Sequence, residues 1–213
     1  MMERQSMRTQ LMNVLNVVNL GEKLKSELRH SWLSNGRQES VAEHTWRVSL
    51  MAMLIEPYLD QEIDTAKMLK MIIIHDLVEA EAKDIPAFDT MNNEQLREQK
   101  AQNEMKAIQR IRETLKGDLG RDVYDLWIEF EHKQTYEAKV ANALDKLEAQ
   151  IQHNEADIST WIEIEYEMSF MMGKHTDFSP VLSQLKELIE EEAENKLRRA
   201  GIDVDNRRNR KTL

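Results

Sequence analysis

Cysteine is absent from the 213 residues, and glycine (6) and proline (3) are scarce. Without cysteine there can be no disulfide, thiolate metal ligand or cysteine nucleophile. Few residues are left to punctuate hairpins, and the chain is dominated instead by Leu, Glu, Lys, Ala, Met and Gln, which favour helix. These shortages predict an all-α protein. Long apolar runs are missing as well: no stretch approaches the roughly 20 residues of a membrane span. The opening MMERQSMRTQ carries an acid and has no apolar secretory core, so the expected compartment is the cytoplasm, with no membrane partner. Net positive charge is also lacking. A formal charge of −10 argues against a nucleic-acid polymer as partner, because phosphate backbones are bound by clustered Lys and Arg. A small phosphate substrate stays open, since a bound divalent cation can reverse the local field.

Apolar residues make up 41% of the chain and charged residues 32%, which fits a globular protein with a core. Hydrophobic periodicity predicts helices near 7–26, 40–57, 62–81, 93–116, 119–132, 135–155, 159–173 and 179–200. Ser40-Val41-Ala42-Glu43 fits a capping box at the start of the second helix. Pro86 with DTMNN (89–93) marks a loop, and KGDLG (116–120) marks a turn. No compositional shift divides the chain, so residues 1–200 are expected to form one domain and 201–213 a polar, flexible tail.

The segment MIIIHDLVEAEAKDIP (71–86) runs from four apolar residues straight into a set of ionisable ones. An ionised carboxylate in the interior needs a partner or a cation. On a helix through 71–81, His75 and Glu79 are four residues apart and Asp76 and Glu79 three, so both pairs share a face. Elsewhere His44 sits in an apolar rhythm with Val41, Trp46 and Val48, and Asp145 in one with Val140, Ala141, Leu144 and Ile151. Two histidines and two aspartates from three helices can give a mixed nitrogen and oxygen shell with positions left for water and substrate. Taken singly, a histidine on an apolar face is more often a hydrogen-bonded core residue, and an aspartate beside Lys146 more often a solvated one. Glu81 reads as surface charge, and His30, His132, His153 and His175 as structural or exposed. The 13 Met are core filler, and Trp127, Trp161 and Phe170 core aromatics. Residues 186–200 read as a charged amphipathic helix, solvated or in a dimer contact.

Three blocks in order, ESVAEH (39–44), HDLVEAEAKDIP (75–86) and LDKLEAQ (144–150), resemble the HD-domain phosphohydrolases, and among them the 5'-deoxynucleotidase branch. The resemblance runs from about Arg29 to about Pro180. It implies a single-domain HD helical bundle that removes phosphate from (deoxy)ribonucleoside 5'-monophosphates and pairs as a homodimer. It implies His44, His75, Asp76 and Asp145 as ligands of one divalent metal ion. Imidazole with carboxylate suits Mn, Co, Fe, Ni or Zn better than the all-oxygen shell that Mg prefers, and the metal stays open among these six. Glu79 matches the carboxylate that orients or deprotonates the attacking water, and Asp84 an acid near the sugar and scissile phosphate. Arg29 and Trp32 match residues that contact phosphate and base or sugar. Lys83 stands where related sequences often have glycine, and could add a phosphate contact or narrow the pocket. Two rival functions remain at this point. One is hydrolysis of diesters, nucleoside triphosphates or alarmones, told apart by the leaving group. The other is a helical nucleotide-binding module without turnover.

Overall fold

The computed structural model describes residues 2–91 and 93–209. Helices dominate, as the composition predicts. The order is α1 (Met2–Gly21), a hairpin of β1 (Leu28–Trp32) and β2 (Gln38–Ser40), α2 (Val41–Ile55), α3 (Thr65–His75), α4 (Glu79–Ala82) and α5 (Ala87–Met91). There follow α6 (Glu94–Leu115), α7 (Gly117–His132), α8 (Tyr136–Glu155), α9 (Glu163–Met168), α10 (Gly173–Thr176), α11 (Pro180–Arg199) and α12 (Val204–Asn209).

The axis of the fold is α8, which packs against α2, α3, α7 and α11. Val140, Ala141, Ala143, Leu144 and Leu147 are fully buried there among Val48, Met68, Ile72 and Leu182. Each large side chain buried in this way contributes on the order of 2 kcal/mol. The same helix also buries Asn142, Asp145, Glu148, Gln150 and Gln152. An interior helix this polar must find partners for those groups along its length.

The capping box is present. Ser40 Oγ accepts from the Glu43 N–H (3.3 Å), and Glu43 Oε2 accepts from the Ser40 N–H (2.9 Å). From that start α2 buries Val41, His44, Val48 and Ala52. Trp46 does not belong to this rhythm, being 66% exposed on the opposite side. Trp127, Trp161 and Phe170 are buried as expected, and Glu81 pairs on the surface with Arg110 Nη1 at 2.7 Å.

Three sequence expectations change. The β1–β2 hairpin was not foreseen; its loop turns at Asn35-Gly36, with Gly36 at φ +84° and its N–H bonded to the Leu33 carbonyl. The helix expected over 62–81 breaks after His75 into a 3-10 turn, Asp76–Val78, before α4. The helix expected over 159–173 is a set of short pieces, α9 and α10 with turns between them. The expected tail contains α12, which runs to Asn209. Val204 is fully buried beside Trp161, Phe170 and Leu197, and Arg207 bonds Glu163 (2.6 Å) and Glu167 (3.0 Å). Residues 210–213 lie outside the described residues. No helix among the described residues is long and apolar enough to cross a membrane.

Candidate active site

The four expected ligands come together at one point. His44 Nε2 lies 3.0 Å from Asp145 Oδ1 and 3.7 Å from Asp76 Oδ2. His75 Nε2 lies 3.1 Å from Asp76 Oδ2 and 4.0 Å from Asp145 Oδ1. His44 comes from α2, His75 from the last residue of α3, Asp76 from the turn after it, and Asp145 from the middle of α8.

That convergence depends on the helix break. Neighbouring residues of an unbroken α-helix point about 100° apart, so His75 and Asp76 could not both face one centre. The indole Nε1 of buried Trp127 donates at 3.1 Å to the His75 carbonyl, the acceptor that a continuing helix offers to Glu79. The Glu79 N–H bonds instead to the Asp76 carbonyl, and the chain tightens into the 3-10 turn. A side chain inserted into the i→i−4 ladder is a recognised cause of such breaks. The shared face argued for His75 and Glu79 on a straight helix is therefore replaced by a turn, which still delivers Asp76 and Glu79 to the same cleft.

The donor set fits a cation. His75 Nδ1 donates to the Ile72 carbonyl at 2.6 Å, leaving Nε2 as the free lone pair. That buried Nε2 has no hydrogen-bond partner, although Asp76 is close. His44 Nδ1 faces the Glu148 carboxylate, which likewise directs its Nε2 inward. Two imidazole lone pairs and two carboxylates facing one another repel unless a proton or a metal ion lies between them. Without a metal, burial and the Arg29 charge push the His44 pKa down, but Glu148 and Asp145 outweigh them and raise it to about 9. Burial alone would raise the Asp76 carboxyl, but the two histidines hold it down at about 2. A divalent ion bound by His44, His75 and Asp76 satisfies this set, and Asp145 Oδ1 faces the same point.

Behind the ligands stands a charged support that the sequence reading passed over. Glu148 is fully buried and takes Arg47 Nε at 2.7 Å and Arg29 Nη1 at 3.4 Å, while Arg29 Nη1 also reaches Glu39 at 3.2 Å. Burial would lower the Arg29 pKa, but Glu148, Glu39, Asp76 and Asp145 keep the guanidinium charged. A carboxylate holding the far nitrogen of a ligating histidine fixes its tautomer and its aim. The signal for Glu148 was in LDKLEAQ: it stands one turn beyond Asp145.

A cleft of about 680 Å³ opens over this point, within the usual range for small-molecule sites. Arg29 lines it, and so do Glu79 and Asp84. Glu79 is 5% exposed; burial first, then the Asp76 and Asp84 charges, push its carboxyl well above the usual range. Asp84 is raised too, by burial against the opposing pull of Arg29 and Lys100. Lys100 and Lys146 also line the cleft, and Lys146 Nζ lies 2.9 Å from Asp145 Oδ2. His30, His153 and His175, read from sequence as structural or exposed, all face this space; of that group only His132 lies on the outer surface.

Two expected substrate contacts are not brought into the cleft. Trp32 stands off the lining, its ring edge-on to His30 at 4.8 Å and its carbonyl bonded by Gln152 at 2.6 Å. Lys83 is 67% exposed and its Nζ bonds Glu27 at 2.5 Å. Its backbone is unusual for a lysine: Lys83 ends α4 at φ 73°, ψ 148°, close to a region nearly reserved for glycine. Such a residue costs about 1–3 kcal/mol, against roughly 0.5–1 kcal/mol for glycine's greater freedom when unfolded. Lys83→Gly should therefore stabilise the protein by about 1 kcal/mol, seen as a Tm higher by roughly 2–4 °C. An unchanged or lower Tm would show that this conformation carries no strain.

The chain is similar to known proteins. The HD-domain family model matches residues 21–186. A Dictyostelium discoideum protein named 5'-deoxynucleotidase HDDC2 is 34% identical over 147 residues, covering 66% of this chain and 75% of that relative. The human protein of the same name is 30% identical over 145 residues, covering 67% and 68%. The crystal structure of a predicted metal-dependent phosphohydrolase from Magnetospirillum magnetotacticum superposes with a TM-score of 0.73 at 27% identity, covering 91% of this chain and 98% of that one.

Proposed function

This chain belongs to the HD-domain family, and from that premise we propose that its cleft removes phosphate from nucleoside 5'-monophosphates, deoxyribonucleotides foremost. The activity is that of a metal-dependent phosphomonoesterase. One observation carries the proposal: two inward-facing imidazole nitrogens and two carboxylates meet at a single point beside Arg29 and Lys146, in a cleft sized for a nucleotide. The relatives named above as 5'-deoxynucleotidases support the choice of substrate.

We assign His44, His75, Asp76 and Asp145 as the metal ligands. The divalent ion they would hold would neutralise phosphate oxygens and acidify water. Glu79, whose burial makes it a stronger base than an exposed carboxylate, takes the proton of the attacking water. Arg29 and Lys146 stabilise charge on the equatorial oxygens during in-line displacement. Asp84, at the cleft wall, can supply a proton to the departing 5'-oxygen. Trp32 and Lys83 carry no role in this scheme. Residues 1–200 act as the catalytic unit, and the site works in the cytoplasm.

The test is phosphate release from ribo- and deoxyribonucleoside 5'-monophosphates. Metal-stripped protein receives Mg, Mn, Co, Fe, Ni or Zn, with His44→Ala as control. Turnover favouring deoxy substrates and lost in the control is expected. Release only of pyrophosphate or tripolyphosphate, from longer substrates, would move the enzyme to another HD activity. Binding without release in every metal would leave a nucleotide-binding module.

A homodimer is part of this proposal. On α1, Val14, Val17 and Leu20 pack against the core formed with α6. Met7, Leu11, Leu15 and Val18, each more than half exposed, form a second apolar stripe that suits a partner helix. Sedimentation should show twice the 25.1 kDa chain mass; only the single-chain species at micromolar concentration would remove the dimer.

A further inference from the structure

One end of the cleft is built for something other than phosphate. The face of α8 that carries Asp145 continues along the cleft through Ala149 to His153. Eight residues of helix carry that face roughly 12 Å from the phosphate end. That distance suits the far end of a bound nucleoside 5'-monophosphate. His153 meets His30 of β1 and Glu165 of α9 there: Glu165 Oε1 lies 3.5 Å from His30 Nε2 and 3.6 Å from His153 Nε2. Glu165 is 5% exposed, and its other oxygen accepts the Ile162 N–H at 2.8 Å. His30 Nε2 and His153 Nδ1 are buried polar atoms without hydrogen-bond partners. Unsatisfied groups of this kind need an explanation, and one is a ligand. Phe88, whose ring stands edge-on to His30 at 4.9 Å, adds an aromatic surface to the same end. Burial lowers the pKa of His30 and of His153, the latter to about 4, and raises the Glu165 carboxyl to about 7, so above pH 7 both imidazoles are neutral and Glu165 Oε1 is an ionised acceptor.

We propose that Glu165, flanked by His30 and His153, reads the edge of the nucleobase and favours bases that present an exocyclic amino group. It rests on the nucleotide function proposed above and deepens it to a base preference. Glu165 Oε1 accepts from the amino group, the ring nitrogens of the two histidines take the neighbouring polar atoms of the base, and Phe88 covers one face. A site with a built-in acceptor discriminates against an analogue that offers a carbonyl instead, because two acceptors are then left facing each other.

Cytosine and uracil test this directly, since they are alike in size and differ in the group at this edge. The probes are the 5'-methylenephosphonate analogues of deoxycytidine and deoxyuridine, which cannot be turned over, titrated calorimetrically into the metal-loaded protein. The cytosine analogue should bind at least 10-fold more tightly. Glu165→Gln keeps an oxygen for the Ile162 N–H, so the start of α9 is preserved, but it can place an NH₂ where Oε1 was. In this variant the preference should fall below threefold. Equal affinities in the wild type, or a preference that survives Glu165→Gln, would overturn the assignment and leave the phosphatase function standing. If neither analogue binds, the nucleotide function fails along with it.

Discussion

Replacing Glu79 with glutamine should lower kcat by roughly 10²–10⁴, the range that a positioned proton acceptor contributes, while the protein keeps its metal. Glu79 is not among the four residues whose donor atoms converge, yet it lines the same cleft three residues after Asp76. Its carboxyl is buried and pushed upward by that burial and by the neighbouring acids. Glutamine preserves its shape and relieves the repulsion from Asp76 and Asp84, so stability should hold or rise. The deciding measurement pairs steady-state kinetics with the metal content of the same samples. Unchanged metal with kcat reduced and KM little altered is the expected outcome. A variant within threefold of the wild type would remove Glu79 from the chemistry. Loss of metal together with activity would make it a ligand instead.

Asp76→Ala should abolish both metal binding and turnover with helical content kept. Loss of a supporting residue such as Glu148 costs about 10–100-fold in metal affinity, and loss of a direct carboxylate ligand should cost more. A ligand that binds only the folded state raises stability by mass action, so added metal should raise the Tm of the wild type and leave that of Asp76→Ala unmoved. Glu148→Gln should fall between them, requiring more metal to reach the same shift. A full metal complement in Asp76→Ala would show that the centre lies elsewhere among the carboxylates, with Glu39, His44 and Glu148 the other group close enough to hold an ion among the described residues.

Much of this was legible in the chain, for reasons that differ from residue to residue. His44, Asp76 and Asp145 are polar groups set in apolar surroundings, and a buried polar group implies a partner before any coordinates are known. The capping box at Ser40 and Glu43 is a local pattern and formed as read. The route from His75 to Glu79 was not legible: the break falls at His75, whose carbonyl accepts from Trp127, 52 positions away. The hairpin was missed through averaging: glycine is rare overall, but Asn35-Gly36 is a strong local turn signal. In the tail, polar composition concealed one apolar anchor, Val204. His30, His153 and Glu165 carry no common sequence signature. A strand, the far end of α8 and a six-residue helix bring them together, and only the tertiary fold shows that.

The bond from Trp127 to the His75 carbonyl bears on anyone wishing to transplant this centre. A His-Asp dipeptide copied onto a regular helix of a new scaffold would splay its two side chains and capture nothing. The transferable unit is a helix that stops on the histidine, together with an indole from another segment bonded to that histidine's carbonyl. Grafts should therefore be judged first on whether the backbone turns at that residue, before any ligand is counted.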